Sequence, residues 1–108
     1  MDLTKWMVQT RKGTLELGIL VLLRQKKRYG LELIELLENS TGLLVTEGTI
    51  YPLLSRLRKE GLVLSEWVES ESGHPRRYYY LSKKGEKQVK EMIEYWENFS
   101  KTINKLIE

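Results

Sequence analysis

One amphipathic stretch, from Thr46 to Gly61, limits what this chain can fold into more than any other part. Its aliphatic residues recur at the i, i+3, i+4, i+7 spacing of a helix that buries one face. They are Ile50, Leu53, Leu54 and Leu57. Gly61 ends the predicted helix, because glycine adopts the left-handed conformation without a Cβ clash. The stretch therefore predicts a helix packed on a core, with a second face turned away from it.

That second face carries the residue types of a nucleic-acid contact. Small residues allow close approach, hydroxyls bond to phosphate oxygens, and cations neutralise phosphates or reach base edges. We predict that the DNA-contacting residues of this helix are Thr46, Gly48, Thr49, Tyr51, Ser55, Arg56 and Lys59. A helix face that only meets solvent has a similar composition, so the helix alone leaves both interpretations open.

Pro52 conflicts with a helix that begins at Thr46. Proline lacks the N–H that a residue so deep in a helix donates, and its ring crowds the preceding turn. Two solutions are consistent with the sequence. Either Thr49 caps the helix, which leaves Pro52 in the first turn, or the helix bends at Pro52.

Two strand-like runs follow this helix. They span Leu62 to Val68 and Arg76 to Leu81, are rich in β-branched and aromatic residues, and are separated by turn-forming residues 69–75. A helix with a basic face followed by a hairpin, with helices before it, is the order of a winged helix-turn-helix. In that fold the second helix of the pair enters the major groove of DNA.

The second strand carries two further predicted DNA contacts, Arg76 and Arg77. They directly follow the loop, and arginine favours a narrow minor groove or the phosphates. A solvated strand edge is the alternative. Side chains alternate across a strand, and we expect Tyr79 and Leu81 to face the core.

The residues before the amphipathic stretch predict two more helices. Residues 15–23 are apolar nearly all round, which indicates a buried helix, and Thr14 is its predicted N-cap after an interruption at Gly13. A second helix follows over residues 30–38, with an aliphatic stripe on one side. Residues 39–42 supply the predicted turn of the helix-turn-helix.

Several runs of this chain together resemble the signature of PadR-like transcriptional regulators. The runs are Glu47–Leu57, Lys59–Leu62 and Gly73–Leu81, and Gly13–Leu17 with Tyr29–Gly30 match the family's first two helices. The resemblance covers nearly the whole chain. It implies a DNA-binding regulator, an inverted-repeat site with ATGT and ACAT halves, and a tolerated proline within the second helix of the pair.

The chain after Ser82, a predicted N-cap, reads as one helix to its end. An a/d heptad pattern runs along it, and a helix of about 25 residues is about 38 Å long, more than a small domain covers. We therefore predict a DNA-binding domain with an N-terminal arm over residues 1–81 and a dimerisation helix over 82–108. The predicted dimer interface comprises Trp6, Met7, Val89, Met92, Trp96, Phe99, Ile103 and Leu106.

Trp96 is also a candidate effector contact, with Trp6 and Met7 at its sides. PadR-like regulators that sense drugs or phenolic acids bind flat aromatic ligands between subunits, and in some a tryptophan on the last helix stacks on them. The resemblance implies the same use of Trp96. Two indoles that face each other across an interface can sandwich a planar ring. The alternative is a packing role in a filled seam.

Composition excludes several other classes of protein. Eighteen Lys and Arg against fifteen Asp and Glu leave a net charge of only +3, so a DNA contact must be argued from where the charges lie. The absence of cysteine excludes disulfides and thiolate zinc sites. No nucleophile–base set or Gly-rich phosphate loop is visible, so we predict no enzyme, cofactor or metal. No apolar run reaches membrane-span length, and we expect a cytoplasmic protein.

The sequence thus predicts a mainly helical protein with a β-hairpin wing, of the α+β class: a winged helix-turn-helix plus a long C-terminal dimerisation helix. Its predicted function is that of a sequence-specific transcriptional regulator of double-stranded DNA, a repressor, acting as a homodimer on an inverted-repeat operator. The first alternative is a winged-helix adaptor that binds proteins and not DNA, and the second is an RNA-binding winged helix, which would prefer structured RNA to duplex DNA. An adaptor should ignore heparin and duplex DNA, whereas a regulator binds both with steep salt dependence.

Overall fold

The computed structural model describes residues 2–42, 44–71 and 73–108. The elements occur in the order α1 (Leu3–Gln25), β1 (Arg28–Tyr29), α2 (Gly30–Thr41), α3 (Glu47–Lys59), β2 (Val63–Val68), β3 (Arg76–Leu81) and α4 (Lys83–Ile107). Leu43 in the predicted connection and Ser72 in the predicted loop lie outside the described residues. The order confirms the predicted winged helix-turn-helix, with a hairpin wing and a long last helix.

The first helix, α1, is unbroken, so the predicted interruption at Gly13 and the predicted N-cap at Thr14 are wrong. The cap is Asp2, whose side chain accepts the N–H of Thr4 at 2.9 Å. The Thr14 hydroxyl donates to the carbonyl oxygen of Thr10 at 2.9 Å, a bond that a threonine makes inside a helix without ending it. The predicted N-terminal arm is therefore the first half of a helix.

The core lies where the four helices meet the sheet. Its fully buried large side chains are Ile19, Leu20, Leu33, Ile50, Leu54, Leu57, Leu62, Val63 and Val89. Each contributes roughly 1.5–3 kcal/mol through burial. The predicted inward stripe of α3 is confirmed, with Leu53 partly buried at its margin. The predicted place of Val89 in a dimer interface is wrong, because this side chain is 0% exposed in the core of its own protomer.

The sheet is three-stranded and antiparallel, in the order β1-β3-β2, and the sequence did not predict β1. The Cα partners are Arg28 with Tyr79, Tyr29 with Tyr78, Val63 with Leu81, Leu64 with Tyr80, Ser65 with Tyr79, Glu66 with Tyr78, Trp67 with Arg77, and Val68 with Arg76. Tyr79 and Leu81 are buried, as predicted. Because β2 is an edge strand, one of its sides pairs with no other strand in the described chain.

Glycines end both helices of the helix-turn-helix. Gly42 and Gly61 have φ of 71° and 79°, a left-handed conformation that glycine adopts without strain, and this confirms the predicted role of Gly61. Because α2 continues through most of the turn predicted over residues 39–42, that turn is shorter than expected. After it, Glu38 accepts the N–H of Val45 at 3.0 Å and so holds the connection to α3.

Pro52 lies inside α3, which is capped at Thr46. The alternative of a cap at Thr49 is therefore wrong. The N–H that Pro52 lacks would have bonded to the carbonyl of Gly48, four residues earlier. Gly48 is exposed, so water can satisfy that carbonyl.

The last helix, α4, begins in the core and ends in solvent. Its cap is Ser82, as predicted, and the hydroxyl of that residue accepts the N–H of Gly85 at 3.0 Å. A Cβ on Gly85 would overlap the carbonyl oxygen of Leu62, so the helix approaches the sheet more closely than an alanine permits. Residues 101–108 are exposed. Across the described ranges, no helix combines the length and apolarity that a membrane crossing needs.

Candidate nucleic-acid interface

The outward face of α3 presents most of its predicted contact residues to solvent. Ser55 is half-buried, and the exposed members are Thr46, Gly48, Thr49, Tyr51, Arg56 and Lys59. At the start of the helix, the hydroxyl oxygens of Thr46 and Thr49 lie 3.2 Å apart. The side chain of the Thr46 cap accepts no backbone N–H, which leaves the electropositive end of α3 open toward this face. The structure thus brings these small and hydroxyl-bearing residues together.

Tyr51 joins α3 to the start of α2. Its ring occupies the space into which a Cβ on Gly30 would project, so the two helices meet through an aromatic ring against a glycine. Partial burial, and secondly the charge of Glu47, raises the pKa of the Tyr51 phenol above its ordinary value of 10.0. The residue remains 39% exposed, enough for one part of the ring to face a ligand.

Arg56 is engaged within the protein. Its Nη2 lies 3.1 Å from Oε2 of Glu16 on α1, and its Nη1 lies 2.8 Å from Oε1 of Glu60. These hydrogen bonds, the one to Glu16 first, raise the pKa of the guanidinium. A guanidinium held by two carboxylates presents little net charge to a phosphate. The ion pairs therefore oppose the predicted DNA contact and give Arg56 a place between α1 and α3.

Arg58, which the sequence analysis did not select, lies on the other flank of α3. With Ser55 and Lys59 it lines a groove of about 530 Å³, whose remaining lining residues are Val63, Leu64, Ser65 and Tyr80. Of the ion pairs in the described part of the chain, none involves Arg58 or Lys59. The i+3 and i+7 spacing from Ser55 and Tyr51 places Arg58 on their side of the helix, and that spacing would have identified it.

The two arginines of the wing lie on opposite faces of β3. The guanidinium carbon of Arg76 is 4.6 Å from the ring centroid of Tyr29. Nε of Arg77 donates to Oγ of Ser65 at 3.0 Å, and its guanidinium carbon is 5.8 Å from the ring centroid of Trp67. The two predicted cations therefore do not lie together, because Arg76 packs on Tyr29 on one face of the sheet and Arg77 packs near Trp67 on the other.

The tip of the wing is acidic. Glu69 and Glu71 are exposed, and residues 69–75 contain no Lys or Arg. Within the tip, the hydroxyl of Ser70 donates to the carbonyl oxygen of His74. Among the described residues, no group of three or more His, Asp or Glu is arranged to hold a metal ion. Carboxylates at the tip repel phosphates, so any attraction of the wing for DNA must come from its base.

The basic segment after α1 holds the sheet to the helices. Nζ of Lys27 lies 2.7 Å from Oε1 of Glu66 on β2, and this hydrogen bond raises the pKa of the lysine. Arg28 is buried, and its Nε donates to the carbonyl oxygen of Leu22 at 3.0 Å while Nη1 lies 3.4 Å from Oε2 of Glu32. Lys27 and Arg28 therefore serve the fold.

Comparison with known proteins identifies the chain's relatives. The model of the Transcriptional regulator PadR-like family matches residues 19–91. The chain belongs to the PadR-like family of transcriptional regulators. This PadR-like regulator is 42% identical to a solved PadR-like transcription factor from Bacteroides fragilis, with a TM-score of 0.77 and with 97% of this chain and 99% of that chain covered.

Two further relatives of this PadR-like regulator cover nearly the same length. A solved PadR-like transcriptional regulator from Bacillus cereus is 39% identical, with a TM-score of 0.86 and with 93% of this chain and 97% of that chain covered. An uncharacterized protein from Lysinibacillus sphaericus is 27% identical over 90% of this chain and 91% of its own length. The similarity thus extends beyond residues 19–91, into the helices at both ends.

A second surface of this PadR-like regulator is a groove between α1 and α4. It measures about 480 Å³ and is lined by Gln9, Thr10, Gly13, Thr14, Leu17, Gln88, Glu91, Met92, Tyr95, Trp96 and Phe99. The rings of Tyr95 and Phe99 stack with centroids 5.7 Å apart. Trp6 and Met7 do not line the groove within one protomer, because they lie about one turn beyond its end on α1. Of the three residues predicted to contact an effector, only Trp96 therefore lines the groove of one protomer.

Large apolar side chains are exposed along both helices that form this groove. Those on α4 are Tyr95, Trp96, Phe99, Ile103, Leu106 and Ile107, and those on α1 are Leu3, Trp6 and Val8. Met92 is partly buried against the core. Leu106 is 78% exposed at the end of α4. A contiguous apolar surface of this kind is typical of a face that meets another molecule.

Proposed function

We propose that this PadR-like regulator represses transcription as a cytoplasmic homodimer bound to an inverted-repeat operator in double-stranded DNA. The observation that carries the proposal is the outward face of α3, where Gly48, Thr49, Ser55 and Lys59 are grouped. A helix with a small-residue start and a cationic end can lie close to base edges in the major groove. The division of the chain into a DNA-binding part, 1–81, and a dimerisation part, 82–108, is part of this proposal.

The apolar residues of α4 and α1 support the homodimer. An isolated protomer leaves Phe99, Ile103 and Leu106 in water, and burying each contributes roughly 1.5–3 kcal/mol. A second copy with the same apolar stripe is the partner of matching chemistry. A two-fold dimer in turn places two copies of α3 on half-sites about one helical turn apart, which is why the operator is an inverted repeat.

DNA binding is tested with a duplex that carries ATGT and ACAT halves about one helical turn apart, roughly 10–10.5 base pairs. The control duplex has the same base composition with the halves scrambled. We expect tighter binding to the inverted repeat, and an affinity for both duplexes that falls steeply with salt. Equal affinity for the two duplexes would show that the protein binds DNA without preference for this sequence, and would contradict the proposed operator. No binding to either would favour a winged-helix protein adaptor.

A planar aromatic effector is a second part of the proposal, supported by the groove beside Trp96. The indole lies near the stacked rings of Tyr95 and Phe99 and is 43% exposed, so one of its faces can accept a ligand. In a dimer, Trp6 and Met7 from either subunit can extend the walls of the groove. The competing role of Trp96 is packing against the partner chain.

Tryptophan fluorescence distinguishes the two roles of Trp96. The chain has three tryptophans, so a variant with Trp6→Phe and Trp67→Phe reports on Trp96 alone. Planar aromatic cations and phenolic acids should quench this variant, and a Trp96→Phe protein whose dimer persists should bind the same ligands more weakly in equilibrium dialysis. Unchanged fluorescence across the ligand panel would leave Trp96 as a packing residue.

A further inference from the structure

We propose that the groove between α3 and the base of the wing is a phosphate site that holds a backbone phosphate of the bound DNA. This proposal rests on the proposed function and adds Arg58, Ser65 and Tyr80 to the DNA contacts that the sequence predicts. The polar residues of the groove are two cations and three hydroxyls, namely Arg58, Lys59, Ser55, Ser65 and Tyr80. No carboxylate is among its described lining residues. A surface that combines cations with hydroxyl donors and lacks acids is suited to a phosphate.

The charge of this groove is not neutralised by the protein itself. Within the residues that the structure describes, the ion pairs of α3 are those of Arg56 with Glu16 and Glu60, on the opposite flank. Arg58 and Lys59 are exposed and take no part in those pairs. Two cations that face a groove without a carboxylate leave a local positive potential, which a phosphate oxygen can offset.

Three hydroxyl-bearing residues line the groove, and each hydroxyl has a hydrogen to donate. Oγ of Ser65 accepts Nε–H of Arg77 at 3.0 Å, so its own hydrogen remains available for another acceptor. Arg77 is thus a positioning residue that orients Ser65, and it adds positive charge behind it. The ring of Tyr80 is covered by Lys27, whose Nζ lies 4.6 Å from the ring centroid. Tyr80 thus lines the groove with a cation on one side of its ring.

Strand β2 forms one wall of the groove. It contributes Val63, Leu64 and Ser65, three consecutive residues whose side chains alternate between the two faces of the sheet, and Tyr80 of the central strand β3 also lines the groove. On its other side, β2 pairs with no strand in the described chain. Backbone N–H groups on a free edge add donors that suit a phosphate.

Continuity with the outward face of α3 favours a DNA phosphate over a free anion. Ser55 and Lys59 belong both to the groove and to the predicted DNA-facing surface. A strand that lies against α3 therefore passes the mouth of the groove. A phosphorylated small molecule would meet the same donors, and the experiment below separates the two sources.

The test compares two arginines of the same helix. Duplex affinity is measured against salt for the wild type, Arg58→Gln, Lys59→Gln and the matched control Arg56→Gln. We expect the slope of log affinity against log salt to fall by about one for Arg58→Gln, with a weaker affinity, and to stay unchanged for Arg56→Gln. Ser65→Ala and Tyr80→Phe, which remove only a hydroxyl, should weaken binding several-fold and leave the slope near that of the wild type.

Nuclear magnetic resonance with inorganic phosphate separates the sources of the anion. Phosphate that shifts the amide signals of Ser65 and Tyr80, together with a loss of slope in Arg58→Gln, supports the DNA phosphate. If inorganic phosphate binds but Arg58→Gln leaves the duplex affinity unchanged, the groove binds a free anion, and the proposal is overturned. A wild type that binds duplex, with equal slopes for Arg56→Gln and Arg58→Gln, overturns it while keeping the proposed function. A wild type that binds no duplex overturns both.

Discussion

Arg56 and Glu16 fasten α3 to α1, with Nη2 and Oε2 3.1 Å apart. The pair connects two helices that the chain separates by β1 and α2. It adds a directional contact to the apolar packing of α3, because a charged hydrogen bond has a preferred geometry. A residue that the sequence assigns to DNA thus stabilises the helix that carries the other contacts.

The first prediction concerns this ion pair. Glu16→Gln and Arg56→Gln should each lower the free energy of unfolding by only about 0.5–1 kcal/mol, since the pair is partly solvated. In a double-mutant cycle the two effects should add incompletely, because both changes remove the contact between Arg56 and Glu16, while Arg56→Gln also removes the pair with Glu60. Chemical denaturation of the four proteins measures this. Strictly additive effects would show that the pair contributes nothing to stability.

The second prediction concerns the close approach of α4 to the sheet. Gly85→Ala places a methyl group against the carbonyl of Leu62 and should lower the free energy of unfolding by roughly 1–3 kcal/mol. Gly13→Ala is the matched control. Its Cβ would meet nothing within 4 Å, so the helical preference of alanine should raise stability by roughly 0.5–1 kcal/mol. Thermal unfolding that shifts in the same direction for both variants would contradict this account.

The third prediction concerns the exposed stripe of α4. Ile103→Glu places a carboxylate among apolar residues of the proposed interface and should give a monomer that retains its helical circular dichroism, because Ile103 lies outside the protomer's core. Lys101→Glu changes the charge more strongly on the opposite side of the helix and should leave the dimer intact. Light scattering provides the measurement. A dimeric Ile103→Glu protein would place the interface elsewhere.

The fourth prediction concerns alkaline pH. Because partial burial raises the pKa of Tyr51, the folded state favours its protonated form, and this stabilising contribution is complete below the ordinary value of 10.0 and is lost as pH rises through the folded pKa. The Tyr51→Phe variant should therefore lose less of its unfolding free energy than the wild type above pH 10.0. Denaturation curves across that range measure the difference, and parallel losses in the two proteins would refute it.

Much of this fold follows from periodicity and glycine chemistry. The stripe of Ile50, Leu54 and Leu57 specifies the buried face of α3, and Gly61 specifies its end. The two-residue strand β1 could not be predicted from these local patterns, because it is defined by its pairing with Tyr78 and Tyr79, which lie far along the chain. Short strands take their conformation from their partners.

Single positions on a helix were harder to assign than the helix itself. Arg56 and Arg58 are both cations near the end of α3, and the sequence does not reveal that α1 brings Glu16 to one flank only. Val89 matches a heptad pattern as well as Ile103 does, yet the close approach at Gly85 draws the start of α4 into the core. These differences between positions depend on tertiary contacts, which the local sequence pattern does not reveal.

Because α1 is one unbroken helix, the groove beside Trp96 and the ion pair that holds α3 share the same helix. Gly13 and Thr14 line the groove beside Trp96, and Glu16, less than one turn further along, holds Arg56. A ligand or partner chain that displaces α1 from the groove also displaces Glu16, which is paired with Arg56 on α3. One that leaves α1 in place does not move α3 through this contact. In the proposed dimer, α1 thus connects the subunit interface with the helix that is proposed to contact the operator.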